Sequence, residues 1–566
     1  MGKPVSATQT TLREWSASNR NDQKARGAFL TPRPIADFLA AWAIDGKPSA
    51  RVLDPTCGEA VFLQAAGAVL KDMGAPAAGM VDQLLGVDVH LESLGEADRI
   101  LRADGLAARL LEQDFFALPS PDHPDSPLPL VDAVVGNPPF IRYQAHTGVS
   151  RFRASEAALA QGVRLSGLAS SWAPLVVHAC AFLKPEGRLA MVLPAELLSV
   201  HYAEPIRRWL RRRFSSVHLV MFERLQFENA LENVVLVLAQ GTGGCDAFSL
   251  YHAHDAADLS SIRPFGHVNV TPAKEGKWTD LLLPSHRRQL FRGVVEDHFV
   301  PLESYGTPEL GTVTGANHYF AITERTKLDY GLSNADVVRI SPPGTRHLRG
   351  LTFTTRDWEN MRVAGNAVWL LQPEADGVGE GLRSYLDHGE DIGVPTAYKC
   401  QVRTPWWRPP LVAAPDLFFT YMSHRYPRLV TNHAGVNYLN SMHGLRLARE
   451  APRVAKSALP LLALNSVTML GAEVFGRSYG GGVLKMEPRE AATLPVASPE
   501  ALSGAWNMLK GERASIDRQL RKGLWTNVVK RVDEALLHHT MGLSYNDVAE
   551  LHEASRSLRK RRIGED

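Results

Sequence analysis

With 566 residues, 45% of them hydrophobic and 22% charged, the chain has apolar material for two or three cores of ordinary size and reads as a globular, multidomain protein. Sixty-two Lys and Arg stand against 60 Asp and Glu, which excludes an acidic tail or a histone-like polycation, so any nucleic-acid surface must be local. Cys57, Cys180, Cys245 and Cys400 have neither disulfide-framework nor zinc-site spacing, so no metal site is expected and a reducing cytoplasm is the natural setting. Met1 to Arg20 is polar without an apolar signal core, and the longest apolar run, Ala458 to Leu470, is broken by Asn465 and Ser466; neither an export signal nor a membrane segment is expected.

From Arg51 onward short apolar runs alternate with helix-like stretches. Arg51 to Leu53 is a strand, Ala60 to Met73 a helix, Leu84 to Asp88 a strand, Leu91 to Asp104 a helix and Val131 to Val135 a strand. A helix over Ser171 to Leu183, a strand over Arg188 to Leu193, a helix ending near Phe214 and strands at Val217 to Phe222 and Val234 to Ala239 continue the rhythm. The alternation predicts a parallel sheet covered by helices, an α/β domain over residues 1–240. Gly241 to Gly244 reads as a connector to irregular sequence rich in Gly, Pro and aromatics over 241–497, and helical periodicity returns over 498–566. The basic end at Arg556 and Arg559 to Arg562 either packs on the body or frays.

Three strand ends carry acids. Asp54 closes the first strand before Pro55-Thr56-Cys57-Gly58, Asp88 closes the second, and Asp114 follows in Gln113-Asp114-Phe115-Phe116. By itself the first is an ordinary βα turn. Together, three acids at the carboxyl edge of a parallel sheet suit S-adenosylmethionine, which presents a cationic amine, a ribose diol and an adenine amine. A dinucleotide would call for a glycine-rich phosphate turn, and only Gly58 is present.

The most specific feature is Asp132-Ala-Val-Val-Gly136-Asn137-Pro138-Pro139-Phe140 at the end of a strand. Two prolines fix φ and remove two backbone donors, so the loop presents the Asn137 side chain and carbonyl oxygens rigidly outward. An exocyclic or amide nitrogen is a poor nucleophile because its lone pair is delocalised. The Asn137 side-chain oxygen and the Pro138 carbonyl could bind its two hydrogens and point the lone pair at a methyl sulfonium, while Phe140 stacks on a planar substrate.

These motifs resemble the gamma-group DNA adenine-N6 methyltransferases of restriction-modification systems, the TaqI type, over roughly residues 24–240. Gly27-Ala-Phe-Leu-Thr31-Pro32 ahead of Asp54 is similar to the family's N-terminal motif, which touches the methionine end of the cofactor, and its position suggests the gamma order. The resemblance implies a Rossmann-like class I methyltransferase domain with S-adenosylmethionine as cofactor. It implies that Thr31 and Asp54, Thr56, Cys57 and Gly58 hold the methionine moiety, Asp88 the ribose, and Asp114 with Phe115 the adenine. Asn137, Pro138, Pro139 and Phe140 become the catalytic loop, and Phe227 resembles the aromatic that stacks with Phe140 on an extruded base. The tetrapeptide ends in Phe140 where many relatives have tyrosine, and the first cofactor loop is poor in glycine.

An enzyme acting on a base in duplex DNA must take it out of the stack and hold the distorted duplex. Thr396 to Lys456 carries nine Lys or Arg against Asp416 and Glu450, interleaved with Tyr398, Trp406, Trp407, Phe418, Phe419, Tyr421, Tyr426 and Tyr438. Basic groups for phosphates and planar groups for stacking suit a nucleic-acid channel; a β-rich core with a solvated basic face fits the same composition. Gly315-Ala-Asn317-His-Tyr-Phe320, Tyr398-Lys399, Arg403-Thr-Pro-Trp406 and Tyr479 to Lys485 look like segments of target-recognition regions in large gamma-group methylases. Lys399, Arg403, Trp406, Trp407, Arg408, Arg425, Arg428 and Lys485 are therefore the candidate DNA contacts in a mixed α+β target-recognition domain with a helical C-terminus. The expectation is a monomer that methylates double-stranded DNA, with any restriction endonuclease on a separate chain. Alternatives are another planar amino group (cytosine N4, an RNA base or a protein glutamine) or a recognition subunit with a vestigial catalytic domain.

Overall fold

The computed structural model describes residues 31–141, 148–222, 234–261, 268–271, 276–373, 378–479 and 482–563. Gly27 to Leu30 and Phe227 lie outside them. Two compact units divide at Leu282/Leu283.

Among the described residues the first unit is built on nine strands: β1 (Val52–Asp54), β2 (Leu84–Asp88), β3 (Arg109–Glu112), β4 (Val131–Gly136), β5 (Leu183–Pro194), β6 (Ser216–Phe222), β7 (Val234–Gln240), β8 (Phe248–Ala253) and β9 (Val268–Val270). Their order is β3-β2-β1-β4-β5-β7-β6-β8-β9, with parallel pairs from β3 through β5 and β7 antiparallel to both its neighbours. The chain reverses its direction of sheet growth between β1 and β4, the switch point at which open α/β sheets bind ligands.

Both faces of the sheet are covered, so its central strands read as nearly continuous apolar runs. Ala133 and Val135 of β4, with Ala190 and Val192 of β5, pack under α1 (Arg33–Ile44), α2 (Val61–Asp72) and α3 (Leu91–Ala103). Val134, Leu189 and Met191 face the opposite layer, where Trp172 and Val176 of α4 (Trp172–Ala179) and Ile206 and Leu210 of α5 (Glu204–Arg213) close the core. Helix α5 starts with Glu204-Pro205 and ends with Arg211 to Arg213, which suits both the fixed proline φ at the first turn and the helix dipole.

The composition break after Gln240 does not end the unit. β8 adds parallel to β6 and β9 antiparallel to β8, so the sheet continues past the expected boundary at 240 and the unit closes at Leu282. Loss of βα rhythm marks only the loss of crossover helices, while strand pairing goes on.

The second unit is mixed α+β and includes the C-terminal helices. A five-stranded sheet is formed by Gly306–Leu310, His443–Leu447, Leu417–Phe419, Leu429–Asn432 and Thr352–Phe353, in that order. A three-stranded sheet of Ala321–Thr323, Ala367–Leu371 and Val337–Arg339 packs through an aromatic core with Tyr319, Phe320 and Tyr385. The run Ala458 to Leu470 falls in helices Ala455–Leu462 and Ser466–Phe475, bent by 79° and largely buried. Among the described residues, no single helix is long and apolar enough to cross a membrane. The basic end packs rather than frays: Arg562 donates to both Glu473 carboxylate oxygens at 2.8 Å, with both side chains under 5% exposed.

Candidate active site

β1, β2 and β4 end side by side, and each delivers a polar residue to one edge. Asp54, the last residue of β1, is 1% exposed. Its Oδ1 accepts from the Thr56 N–H at 3.1 Å, while among the described residues its Oδ2 and the Thr56 Oγ1 are buried without a hydrogen-bond partner. Burial, reinforced by the nearby Asp88 carboxylate, pushes the Asp54 carboxyl up to about 8. A buried acceptor of this kind calls for a cation or a strong donor.

The turn after β1 is tied to β2. The Gly58 N–H donates to Asp88 Oδ2 at 2.9 Å, and Asp88 Oδ1 accepts from the His90 N–H at 3.0 Å. Gly58 has φ +48°, and a Cβ built there would meet nothing within 4 Å, so its outer side faces open space. Cys57 is turned inward: it is 4% exposed, its N–H donates to the Val87 carbonyl, and burial raises its thiol well above the usual range. Asp114 caps the turn after β3 by accepting from the Phe116 N–H at 3.1 Å, with Arg153 3.7 Å away. Phe115 is also in the core, 3% exposed, edge-on to His178 at 4.9 Å and beside Phe182. Its ring is packed in the core of the first unit.

The tetrapeptide leaves the sheet beside Asp54. Gly136, the last residue of β4, has φ +154°, and a Cβ there would stand 2.9 Å from Asp54 Oδ1. Only glycine fits that approach, which sets Asn137 next to the acid-lined edge. Asn137 Nδ2 donates to Thr31 Oγ1 at 3.2 Å, joining residues 106 positions apart. Pro138 is buried, and Phe140 is partly buried between both core layers. Asp132, at the opposite end of β4, binds the Arg51 N–H and Lys184 Nζ and lies away from this edge.

Sequence reasoning missed Ser171. Its hydroxyl donates to the Pro139 carbonyl and accepts from the Ile141 N–H at 2.9 Å, and its own N–H donates to the Ile141 carbonyl at 3.0 Å. The only local signal was a serine before Trp172 at a helix start.

The candidate DNA contacts separate by environment. Lys399, Arg408 and Arg425 are exposed, and among the described residues none has an acidic partner. Arg403 donates to the Trp406 carbonyl and Cys400 Sγ and lies over Phe320. Arg428 is stacked 5.1 Å from the Trp525 ring, and burial pulls its guanidinium down to about 10. Lys485 pairs with Glu487 at 2.6 Å, and Trp406 and Trp407 pack against the Tyr319–Tyr385 core. These five are partly exposed, each in contact with a neighbouring side chain.

Two family models match the chain. N-6 DNA Methylase spans residues 12–254, and the C-terminal domain of Type II methyltransferase M.Eco57I spans 275–537. Residues 12–254 of the chain belong to the N-6 DNA methylase family. The methylase is 22% identical to Type II methyltransferase M.AccI of Acinetobacter calcoaceticus over 500 residues, 84% of this chain and 86% of that one. It is 26% identical to M.XamI of Xanthomonas campestris pv. amaranthicola over 497 residues, with the same shares covered. Its fold is similar to the type IIL restriction-modification enzyme MmeI solved with DNA, with TM-score 0.52, 12% identity, 94% of this chain and 75% of that one. The methylase is thus a DNA methyltransferase of the N6-adenine type, and the boundary between the two matched models falls near the division of its compact units.

Proposed function

We propose that the methylase transfers a methyl group from S-adenosylmethionine to adenine N6 at a specific site in double-stranded DNA, with the base turned out of the helix. The observation that carries this reading is the meeting of the Asn137 loop with the acid-lined edge: Gly136 lies against Asp54, and Asn137 is bound to Thr31.

The residues present fit the cofactor. The buried Asp54 Oδ2 and Thr56 Oγ1 suit its ammonium group, the open side of Gly58 admits its methionine end, and Asp88 stands at the end of β2 for ribose hydroxyls. When bound, it supplies an electrophilic methyl on a sulfonium. The chain supplies orientation: Asn137 Oδ1 and the Pro138 carbonyl accept the two N6 hydrogens and turn the nitrogen lone pair toward the acid-lined edge. Phe140 offers a ring face to the base, and Phe227, outside the described residues, is the proposed second face. Lys399, Arg408 and Arg425 are the proposed phosphate contacts.

Expression in a methylation-free host, followed by single-molecule sequencing of its genome, tests the reading. N6-methyladenine confined to one short motif, and its loss with Asn137→Ala, is the expected result. A genome without modified bases, or full activity in Asn137→Ala, refutes it. Modification of RNA or a protein amide in place of DNA would select a different acceptor.

A further inference from the structure

The catalytic loop has a structural problem that its sequence creates. Pro138 and Pro139 have no N–H, so two consecutive positions cannot donate a hydrogen bond to a neighbouring strand. A loop meant to hold two acceptors in a fixed direction must then be braced by side chains from elsewhere.

Two hydroxyls meet it, one at each end. The Ser171 hydroxyl bridges the Pro139 carbonyl and the Ile141 N–H, and Ser171 is 3% exposed, so water cannot readily take its place. Ser171 is itself held, because it begins α4, where Trp172 is fully buried and its Nε1 donates to the Tyr202 hydroxyl at 3.1 Å. That hydroxyl donates in turn to Glu196 at 2.6 Å. At the other end Thr31, 8% exposed, accepts from Asn137 Nδ2. An amide that donates from its nitrogen to a fixed partner has its oxygen on the opposite edge, the orientation an amine acceptor needs.

We propose that Ser171 and Thr31 are positioning residues for methyl transfer: Ser171 fixes the backbone from Pro139 to Ile141, and Thr31 fixes the plane of the Asn137 amide before the base arrives. This rests on the functional reading above. Neither residue touches the reacting atoms; each acts through Asn137 or the loop that carries it. Misplacement of a reacting group by about 1 Å costs on the order of 100-fold in rate, and that is the scale on which loss of either hydroxyl should act.

The test compares the full chain with Ser171→Ala, Ser171→Cys, Thr31→Val and Thr31→Ser. Transfer of labelled methyl groups to unmethylated genomic DNA from the methylation-free host gives kcat and KM, calorimetry gives affinity for S-adenosylmethionine, and thermal unfolding reports the fold. The expected result is a roughly 10- to 100-fold lower kcat in Ser171→Ala, with KM and cofactor affinity within about twofold, and a kcat in Thr31→Val lowered on the same scale at saturating S-adenosylmethionine, beyond any change in cofactor affinity. Thr31→Ser should recover most of the rate, and Ser171→Cys, which keeps the volume, should fold and remain slow. Wild-type kcat in the folded variants overturns the proposal, as does a Thr31→Val defect that lies wholly in cofactor affinity. Wild-type protein that methylates no DNA would instead overturn the functional reading, since the variants are judged only against an active parent.

Discussion

Raising the pH from about 6 to about 7 should tighten binding of S-adenosylmethionine roughly tenfold, and Asp54→Asn should abolish that dependence. The Asp54 carboxyl is held at about 8 against an ordinary 3.8, chiefly by burial. At pH about 7 roughly nine in ten molecules therefore carry the proton, and a ligand that requires the carboxylate must first displace it at a cost of about 1.4 kcal/mol. Each further pH unit downward adds a factor of about ten, so close to one proton should be released per ligand bound. The ligand's own amine titrates near 8, which levels the rise there. Calorimetry in two buffers of different ionisation heat, at pH about 6.5, counts the proton directly. For Asp54→Asn the proton count should fall to zero and affinity should drop about 10- to 100-fold, the worth of a charged hydrogen bond. The sign for the unliganded protein is the reverse. The folded state holds this proton more tightly than the unfolded chain, so its contribution to stability is complete below about 4 and is lost as pH rises toward 8. Proton-free binding by the parent, or an unchanged proton count in Asp54→Asn, would refute the assignment.

In Lys399→Ala, Arg408→Ala and Arg425→Ala, DNA binding should weaken and the slope of log affinity against log salt should fall by about 0.9 for each phosphate left unneutralised, with little change in unfolding temperature. Arg428→Ala should instead act through stability, since its guanidinium is stacked on Trp525; a salt-slope change without destabilisation would place it on the DNA. Removal of one partner of the buried Glu473–Arg562 pair should cost about 3–5 kcal/mol in chemical denaturation, and Arg562→Ala at no cost would show the pair to be dispensable. Burial raises the Asp533 carboxyl, which accepts from the Ser466 N–H and hydroxyl, to about 7. Its contribution to stability should therefore fall as pH rises from about 4 to about 7, and Asp533→Asn should flatten that part of the profile of unfolding temperature against pH.

Much of the first unit was legible because its signals are local. Parallel strands covered on both faces must be apolar runs, and each acid that ends β1 and β2 lies within a few residues of the run that places it. The Gly136-Asn137-Pro138-Pro139 loop was likewise written in adjacent residues, because glycine and proline restrict the backbone wherever they stand. Expectations drawn from loss of pattern fared differently: the rhythm stopped at 240, yet β8 and β9 joined the same sheet.

What tertiary structure alone decided was which distant residues meet. Ser171 reaches the Pro139 carbonyl across 32 positions, Thr31 reaches Asn137 across 106, and Arg562 reaches Glu473 across 89. Nothing in the chain near a hydroxyl or a guanidinium says which distant polar group will be buried beside it. The same holds for the basic segment, whose nine cations are equivalent in a sequence count. Packing leaves Lys399, Arg408 and Arg425 to solvent and draws Arg403 and Arg428 onto aromatic rings. Composition sets how many charges are available; burial, a property of the folded whole, determines which of them remain free to meet a partner.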